Sequence, residues 1–218
     1  MRSTFGRKSL LALALGVSLI FSGSVAANAA SAGGSCTKLN ATTVSGTKLL
    51  KCSKKGSKKV WVSSGVAYGT SGAPAPIGKA VKIESGNYTL TSVEEGIDQW
   101  VCEQNSFNGG CTYDDDFEVV VYPTSTTRWV RFNFNVSNLA SGILEPYFGD
   151  VGVVSNGKIS WQGWLQPTVD GGVDDLTILP KSMDAGSLYV QMPKSSTYSQ
   201  LVLRPSLFEK RFYFFNTN

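Results

Sequence analysis

The 218-residue sequence contains no histidine. Histidine is the usual general base near neutral pH and the commonest metal ligand in proteins. Its absence excludes Ser-His-Asp and Cys-His catalysis, and it also excludes a zinc site built from histidine. No other catalytic constellation stands out in the sequence. We therefore expect a protein that is not an enzyme and that carries no cofactor.

Long apolar runs are also scarce, and the single one lies near the N-terminus. Ser9–Phe21 follows three basic residues and precedes Ala27-Asn28-Ala29, an A-x-A cleavage sequence. The run is too short for a transmembrane helix, which needs about 20 apolar residues. Residues 1–30 are predicted to be a secretory signal peptide, with a retained anchor as the alternative. We expect a secreted or cell-wall-associated, extracytoplasmic protein without a transmembrane segment after cleavage.

Acidic residues are absent from the first part of the predicted mature chain. Residues 31–72 contain seven lysines and no Asp or Glu, whereas residues 73–218 contain ten basic and sixteen acidic residues. A basic head on an acidic body favours electrostatic contact with an anionic partner. The lysines of the head are Lys38, Lys48, Lys51, Lys54, Lys55, Lys58 and Lys59.

The chain has only four cysteines, an even number that favours two disulfides in an exported protein. Three pairings are possible. Proximity in the sequence favours Cys36–Cys52 and Cys102–Cys111, and the second pair would close a short loop around Asn108-Gly109-Gly110. Each closure would contribute on the order of 2–3 kcal/mol, which matters most in a head too small for its own core.

Composition divides the mature chain into three parts. Residues 31–62 are predicted to be a cysteine-paired mini-module with short strands over 42–44, 47–52 and 60–62. Residues 63–76 are rich in Gly, Ser, Ala and Pro and carry no charge, which is typical of a linker. Residues 77–218 form the third part, the predicted main domain.

The main domain shows the pattern of many short strands. Arg128–Val136 places Val130, Phe132, Phe134 and Val136 on one face and its Asn residues on the other. Asn156-Gly157 between apolar runs is a strong hairpin signal. No stretch shows a helical period over 11 or more residues. The pattern predicts an all-β fold, an antiparallel β-sandwich. The further strand predictions are 81–83, 88–93, 117–122, 151–154, 158–161, 176–179, 188–192, 200–203 and 212–215.

Four segments of the main domain match one known family. Residues 77–218 resemble the DUF4352 family, an immunoglobulin-like secreted β-sandwich related to the MPT63-type antigens. The segments are Ile77–Val93, Trp129–Asn138, Val151–Ser160 and Met183–Pro193. The resemblance implies an immunoglobulin-like sandwich and an extracytoplasmic location but no activity. The Cys102–Cys111 excursion departs from the family pattern.

The head is similar to short modules at the front of many secreted actinobacterial proteins. The similarity rests on Cys36, Gly46, Cys52 and Trp61. It implies no activity.

Consecutive carboxylates mark a candidate metal site at Asp114, Asp115 and Asp116. Calcium takes six to eight oxygen ligands, but the EF-hand spacing is absent here. A solvated turn before a strand is the favoured interpretation of the same residues. We therefore predict no metal site and keep these three residues as weak candidates.

Tryptophans and lysines supply the candidate binding residues. Trp161 and Trp164 are candidates for contact with a partner, the alternative being core packing. The candidates for binding an anionic polymer are Lys51, Lys54, Lys55, Lys58, Lys59 and Trp61. Lysines without arginine do not form a nucleic-acid readout surface, so no nucleic-acid partner is expected.

The sequence thus favours a non-enzymatic binding or structural protein of the bacterial envelope. Its head would dock on an anionic wall polymer or another envelope protein, and the sandwich loops would present a second surface. One alternative is a hydrolase of envelope glycan or peptide that uses carboxylates such as Asp114, Asp116 or Asp175. The other is a calcium-dependent adhesion module.

Overall fold

A computed structural model describes residues 30–105, 108–112, 122–162, 167, 169–205 and 210–218. The predicted signal peptide lies outside these residues, except for Ala30. No helix among them is long and apolar enough to cross a bilayer.

The head is a three-stranded antiparallel sheet. Its strands, in spatial order, are β1 (Thr42–Ser45), β2 (Lys48–Lys55) and β3 (Lys58–Val66). The turns contain Gly46 and Gly56 at φ of 58° and 62°, a conformation that glycine adopts without steric cost. The predicted Cys36–Cys52 disulfide is present, and Leu50 and Cys52, two residues apart on β2, are fully buried. All three predicted strands are confirmed, with β2 and β3 longer than expected.

The segment 63–76 is not the free linker that its composition predicts. Its first four residues belong to β3. The Ala67 N–H then donates to the Thr47 carbonyl at 2.8 Å, and the Ala75 N–H donates to the Phe214 carbonyl at 2.8 Å. Ala75 is fully buried. Small uncharged residues suit close packing as well as flexibility, and here they pack. The remaining domain boundaries stay predictions.

The body consists of two four-stranded antiparallel sheets and a short accessory pair. Its strands are β4 (Ala80–Ile83), β5 (Gly86–Glu94), β6 (Cys111–Thr112), β7 (Tyr122–Pro123), β8 (Thr127–Asn138), β9 (Asp150–Ser155), β10 (Lys158–Trp161), β11 (Met183–Pro193), β12 (Gln200–Arg204) and β13 (Tyr213–Asn216). One sheet has the order β11-β8-β5-β4, the other the order β10-β9-β12-β13, and β6 pairs with β7.

The core fills the space between the two sheets. Phe134 of β8 and Phe215 of β13 meet edge to face, with ring centroids 5.3 Å apart. Both rings are almost completely buried, and each such burial contributes about 1.5–3 kcal/mol. Alternate residues of β8 point into this core, as the period-2 pattern predicts. The predicted all-β class, an antiparallel β-sandwich with a small disulfide-stapled N-terminal β module, is confirmed. The immunoglobulin-like character of the sandwich stays a prediction.

A disulfide-closed excursion covers one end of the outer face of the β11-β8-β5-β4 sheet. Helix α1 (Asp98–Gln104) leads into the predicted Cys102–Cys111 disulfide, which is also present. Val101 packs on Trp129 and Tyr189, and all three are buried. The Trp129 backbone N–H donates to the Asp98 carboxylate at 2.5 Å, which fixes the start of the helix against β8. The sequence located this excursion but did not predict its helix.

Most of the strand predictions hold, including the hairpin at Asn156-Gly157 between β9 and β10. The strand predicted over 176–179 is wrong. Only Ile178 pairs there, through an isolated bridge to Leu144, and the 3-10 helix Val173–Asp175 precedes it. Ile178 is nevertheless buried. The apolar residues of this segment therefore reflect burial in the core rather than pairing in a sheet. Most of the strand predicted over 117–122 lies outside the described residues.

Candidate functional site

Four candidate lysines meet at the tip of the hairpin formed by β2 and β3. Lys54 is directly opposite Lys59, and Lys55 is directly opposite Lys58. All four side chains are exposed. Directly opposed residues in an antiparallel pair have Cα atoms about 4.5–5.5 Å apart. The hairpin register therefore concentrates four ammonium groups at one end of the head.

The fifth candidate lysine lies further along β2. Lys51 is exposed and opposite Val62. It is four residues from Lys55, which corresponds to about 13 Å along an extended strand. Lys51 thus extends the positive surface beyond the tip.

The lysines occupy both faces of the hairpin. Strand alternation places Lys54 and Lys59 on the face of Trp61, whereas Lys51, Lys55 and Lys58 point to the other side. Trp61 is half-buried and lies opposite Cys52 in the register. Trp61 is therefore part of the support of the hairpin as well as a neighbour of two lysines.

The positive charge of the tip is not neutralised within the described part of the chain. The ion pairs there are Arg128–Glu95, Arg131–Glu94 and Arg204–Asp150, all in the body. Within the described residues, the one side-chain hydrogen bond that these five lysines donate joins Lys59 Nζ to the Thr37 carbonyl at 3.0 Å. An uncompensated cluster of like charge attracts anionic ligands and raises their association rate.

The second candidate surface is an edge of the other sheet. Trp161 ends the edge strand β10 and is 39% exposed, so it is not a core residue. Its ring packs at 5.6 Å from that of Phe212, and the Arg204 guanidinium lies 5.8 Å from the ring centroid. The second predicted tryptophan of this surface, Trp164, lies outside the described residues.

The acidic candidates are tested only in part, because Asp114, Asp115 and Asp116 lie outside the described residues. Asp175 lies in the 3-10 helix and accepts a hydrogen bond from the Gly172 N–H at 3.2 Å. It lines a cleft of about 220 Å³ with Asp174. Partial desolvation raises the pKa of Asp174, and the Asp175 carboxylate raises it further.

The two acids Asp174 and Asp175 come from one turn rather than from facing elements, so they are not an acid–base pair across a cleft. In the described ranges, no group of three or more Cys, Asp or Glu side chains is arranged to hold a metal ion. The described residues therefore supply neither a carboxylate pair for the hydrolase alternative nor a calcium site for the adhesion alternative.

One polar cluster escaped the sequence analysis. On the outer face of the β11-β8-β5-β4 sheet, Arg131 pairs with Glu94 at 3.1 Å, and its guanidinium lies 4.1 Å from the centroid of Trp100. The Trp100 and Tyr189 rings are stacked, 6.1 Å apart. The alternation that places Val130 and Phe132 on the inner face of β8 puts Arg131 on the outer face. Its partners come from three other stretches of the chain, which no local pattern connects.

No family model matches this chain, and no curated protein matches it. A solved structure that matches is an uncharacterized beta-sandwich protein from Clostridium difficile 630. It is 14% identical, with a TM-score of 0.41, and the match covers 66% of this chain and 94% of that protein. The resemblance to the DUF4352 family and the MPT63-type antigens thus stays a prediction from the sequence.

Proposed function

We propose that this chain is a secreted, non-enzymatic protein of the bacterial envelope whose head binds an anionic wall polymer. The observation that carries the proposal is the pairing of Lys54 with Lys59 and of Lys55 with Lys58 at an exposed hairpin tip. Phosphate- or carboxylate-bearing polymers repeat negative charge at short intervals. Several ammonium groups at one tip would neutralise adjacent charges of such a polymer and release its counterions.

Features elsewhere in the chain support the same proposal. The predicted signal peptide and the two disulfides suit an oxidising compartment outside the cytosol. The resemblance to the DUF4352 family implies the same location. The head also lacks any acidic residue that would repel an anionic polymer.

The body would present the second surface of this envelope protein. Trp161 and Phe212 expose 39% and 36% of their surface beside the Arg204–Asp150 ion pair. Exposed aromatic residues next to arginine are enriched where proteins bind one another. Another envelope protein is the proposed partner there.

Co-sedimentation of the mature protein with isolated envelopes over a series of salt concentrations tests the proposal. We expect binding that decreases as salt increases, because counterion release drives it. A triple variant in which Gln replaces Lys54, Lys55 and Lys58 should lose most of the binding. The matched control replaces Lys158, Lys181 and Lys210 of the body by Gln, which removes the same charge from other exposed positions.

The two triple variants separate a local effect from one of net charge. Equal losses of binding in both would show that total charge, and not the hairpin, is responsible. Undiminished binding of the wild-type protein at high salt would contradict an electrostatic mechanism altogether.

A further inference from the structure

The outer face of the β11-β8-β5-β4 sheet carries two rows of free polar side chains. Asn135 of β8 lies opposite Thr89 of β5, and Ser137 lies opposite Asn87 in the next row. All four side chains are partly exposed. None of the four makes a side-chain hydrogen bond with another residue of the described chain. Two amides and two hydroxyls are thus available side by side to a ligand.

The next row is already organised by internal hydrogen bonds. Asn133 Nδ2 donates to Ser92 Oγ at 2.9 Å and to Glu94 Oε1 at 2.6 Å. Ser187 Oγ donates to Asn133 Oδ1 at 2.7 Å, and Arg131 Nη1 donates to Glu94 Oε2 at 3.1 Å. These bonds hold the side chains beside the free rows in fixed positions. A surface ordered before binding loses less conformational entropy when a ligand arrives.

An aromatic wall closes the same face at the end of the organised row. The Arg131 guanidinium lies 4.1 Å from the centroid of Trp100 and 5.6 Å from that of Tyr189. Trp100 is partly exposed, and helix α1, stapled by the Cys102–Cys111 disulfide, carries it. An aromatic side chain beside amides and hydroxyls matches a sugar, which has apolar C–H surfaces and polar hydroxyl edges.

The charge of the face distinguishes its ligand from that of the head. On strands β5, β8 and β11, the charged residues of this face are Arg131 and Glu94, which neutralise each other. Lys82 of the edge strand β4 lies directly opposite Asn87 and adds one exposed positive charge at the border of the face. A polyanion finds no concentration of positive charge there, whereas a hydroxyl-rich neutral chain finds donors, acceptors and an aromatic wall. We propose that this face binds a neutral glycan, with Asn87 and Asn135 as hydrogen-bonding residues.

Affinity electrophoresis of the mature protein tests this second site. Native gels would contain dextran, laminarin, mannan or hydroxyethyl cellulose, four neutral polysaccharides of different linkage. We expect retardation by at least one of them. The N87A/N135A double variant should bind that polysaccharide at least fivefold more weakly.

The matched control is the Q200A/N216A double variant, which removes two amides from the outer face of the other sheet. Gln200 and Asn216 are directly opposite each other and partly exposed, and neither forms a side-chain hydrogen bond within the described residues. This control should bind like the wild-type protein. Absence of retardation in all four gels, or equal binding by both double variants, would overturn the inference.

Binding of a neutral polysaccharide by the outer face should not depend on the head. The variant with Lys54, Lys55 and Lys58 replaced by Gln should keep its full affinity for the neutral polysaccharide, and that affinity should not change with salt. If the lysine variant alone lost this binding, the outer face would not be the site, while the proposed role of the head would stand.

Discussion

Lys54 and Lys59 lie directly opposite each other across the hairpin of β2 and β3, and Lys55 and Lys58 form the adjacent pair toward the turn. Like charges in directly opposed positions destabilise a strand pair. The hairpin therefore carries a local cost that an anionic ligand would remove. Such a cost is expected where a surface serves binding.

Reversal of one charge should separate stability from binding. Lys58→Glu would place a carboxylate opposite Lys55 and replace a repulsion by an attraction. We expect slower hydrogen exchange of the backbone amides of β2 and β3 together with weaker binding to envelopes. Faster exchange in this variant would show that the opposed lysines are not a source of local instability.

The head should depend on its disulfide more than the body does. Replacement of Cys36 and Cys52 by Ser removes a crosslink between residues 16 apart in the sequence. We expect the loss of about 2–3 kcal/mol of local stability, because the head buries little apolar surface. Hydrogen exchange measured residue by residue should accelerate in β1 to β3. Equal acceleration in β8 and β12 would instead indicate that head and body unfold as one unit.

Asn138 should be the polar residue on which one end of the sandwich depends most. It is 2% exposed, and its Nδ2 donates to the carbonyls of Gly142 and Ile178, both at 2.8 Å. Its Oδ1 accepts the Ala140 N–H at 2.8 Å. Asn138→Ala would remove these three hydrogen bonds from a buried side chain, each worth about 0.5–1.5 kcal/mol, so we expect a loss of about 2–4 kcal/mol in the free energy of unfolding.

Urea denaturation measures the effect of Asn138→Ala, with Asn135→Ala as its control. Asn135 lies on the same strand but is partly exposed and free of side-chain hydrogen bonds within the described chain, so its change should stay within about 0.5 kcal/mol. Similar effects of the two substitutions would contradict the role given to Asn138.

Tyr88 should make the fold sensitive to alkaline pH. Burial raises the pKa of this phenol to about 12, and the nearby Glu84 and Asp174 carboxylates add to the increase. In the unfolded chain the phenol ionises near pH 10, so ionisation favours the unfolded state first. The contribution of the Tyr88 titration to the free energy of unfolding is therefore fully present below pH 10. It is lost between pH 10 and 12, by about 2–3 kcal/mol at most.

The comparison with Tyr88→Phe isolates this titration from those of the other tyrosines. The variant should lose less stability than the wild-type protein between pH 10 and 12, measured by denaturant unfolding at each pH. Parallel curves for the two proteins would show that Tyr88 does not titrate differently in the two states.

Local patterns in the sequence were sufficient for most of the fold. β8 was predictable because its alternate residues are large and apolar, and the hairpin of β9 and β10 because Asn156 and Gly157 both adopt positive φ. Both disulfides followed from proximity in the sequence. Helix α1 was not predicted because it has only seven residues. A helical period of apolar residues becomes recognisable only over about 11 residues or more.

The sites were less accessible to sequence reasoning, because strand register creates them. The lysine-rich stretch was visible, but the opposition of Lys54 to Lys59 depends on the length of the turn at Gly56. The cluster of Glu94, Arg131 and Tyr189 depends on the register of three strands that are far apart in the sequence. Tertiary pairing of this kind leaves no local signal.

The most direct test of the central claim is a hydrogen-exchange footprint of the mature protein, free and bound to isolated envelopes at low salt. The proposed function predicts that binding protects amides at the tip of the β2–β3 hairpin, around Lys54, Lys55, Lys58 and Lys59. It also predicts that this protection disappears when salt releases the protein. Protection confined to the body, with no change in the hairpin, would contradict an anionic-polymer site in the head.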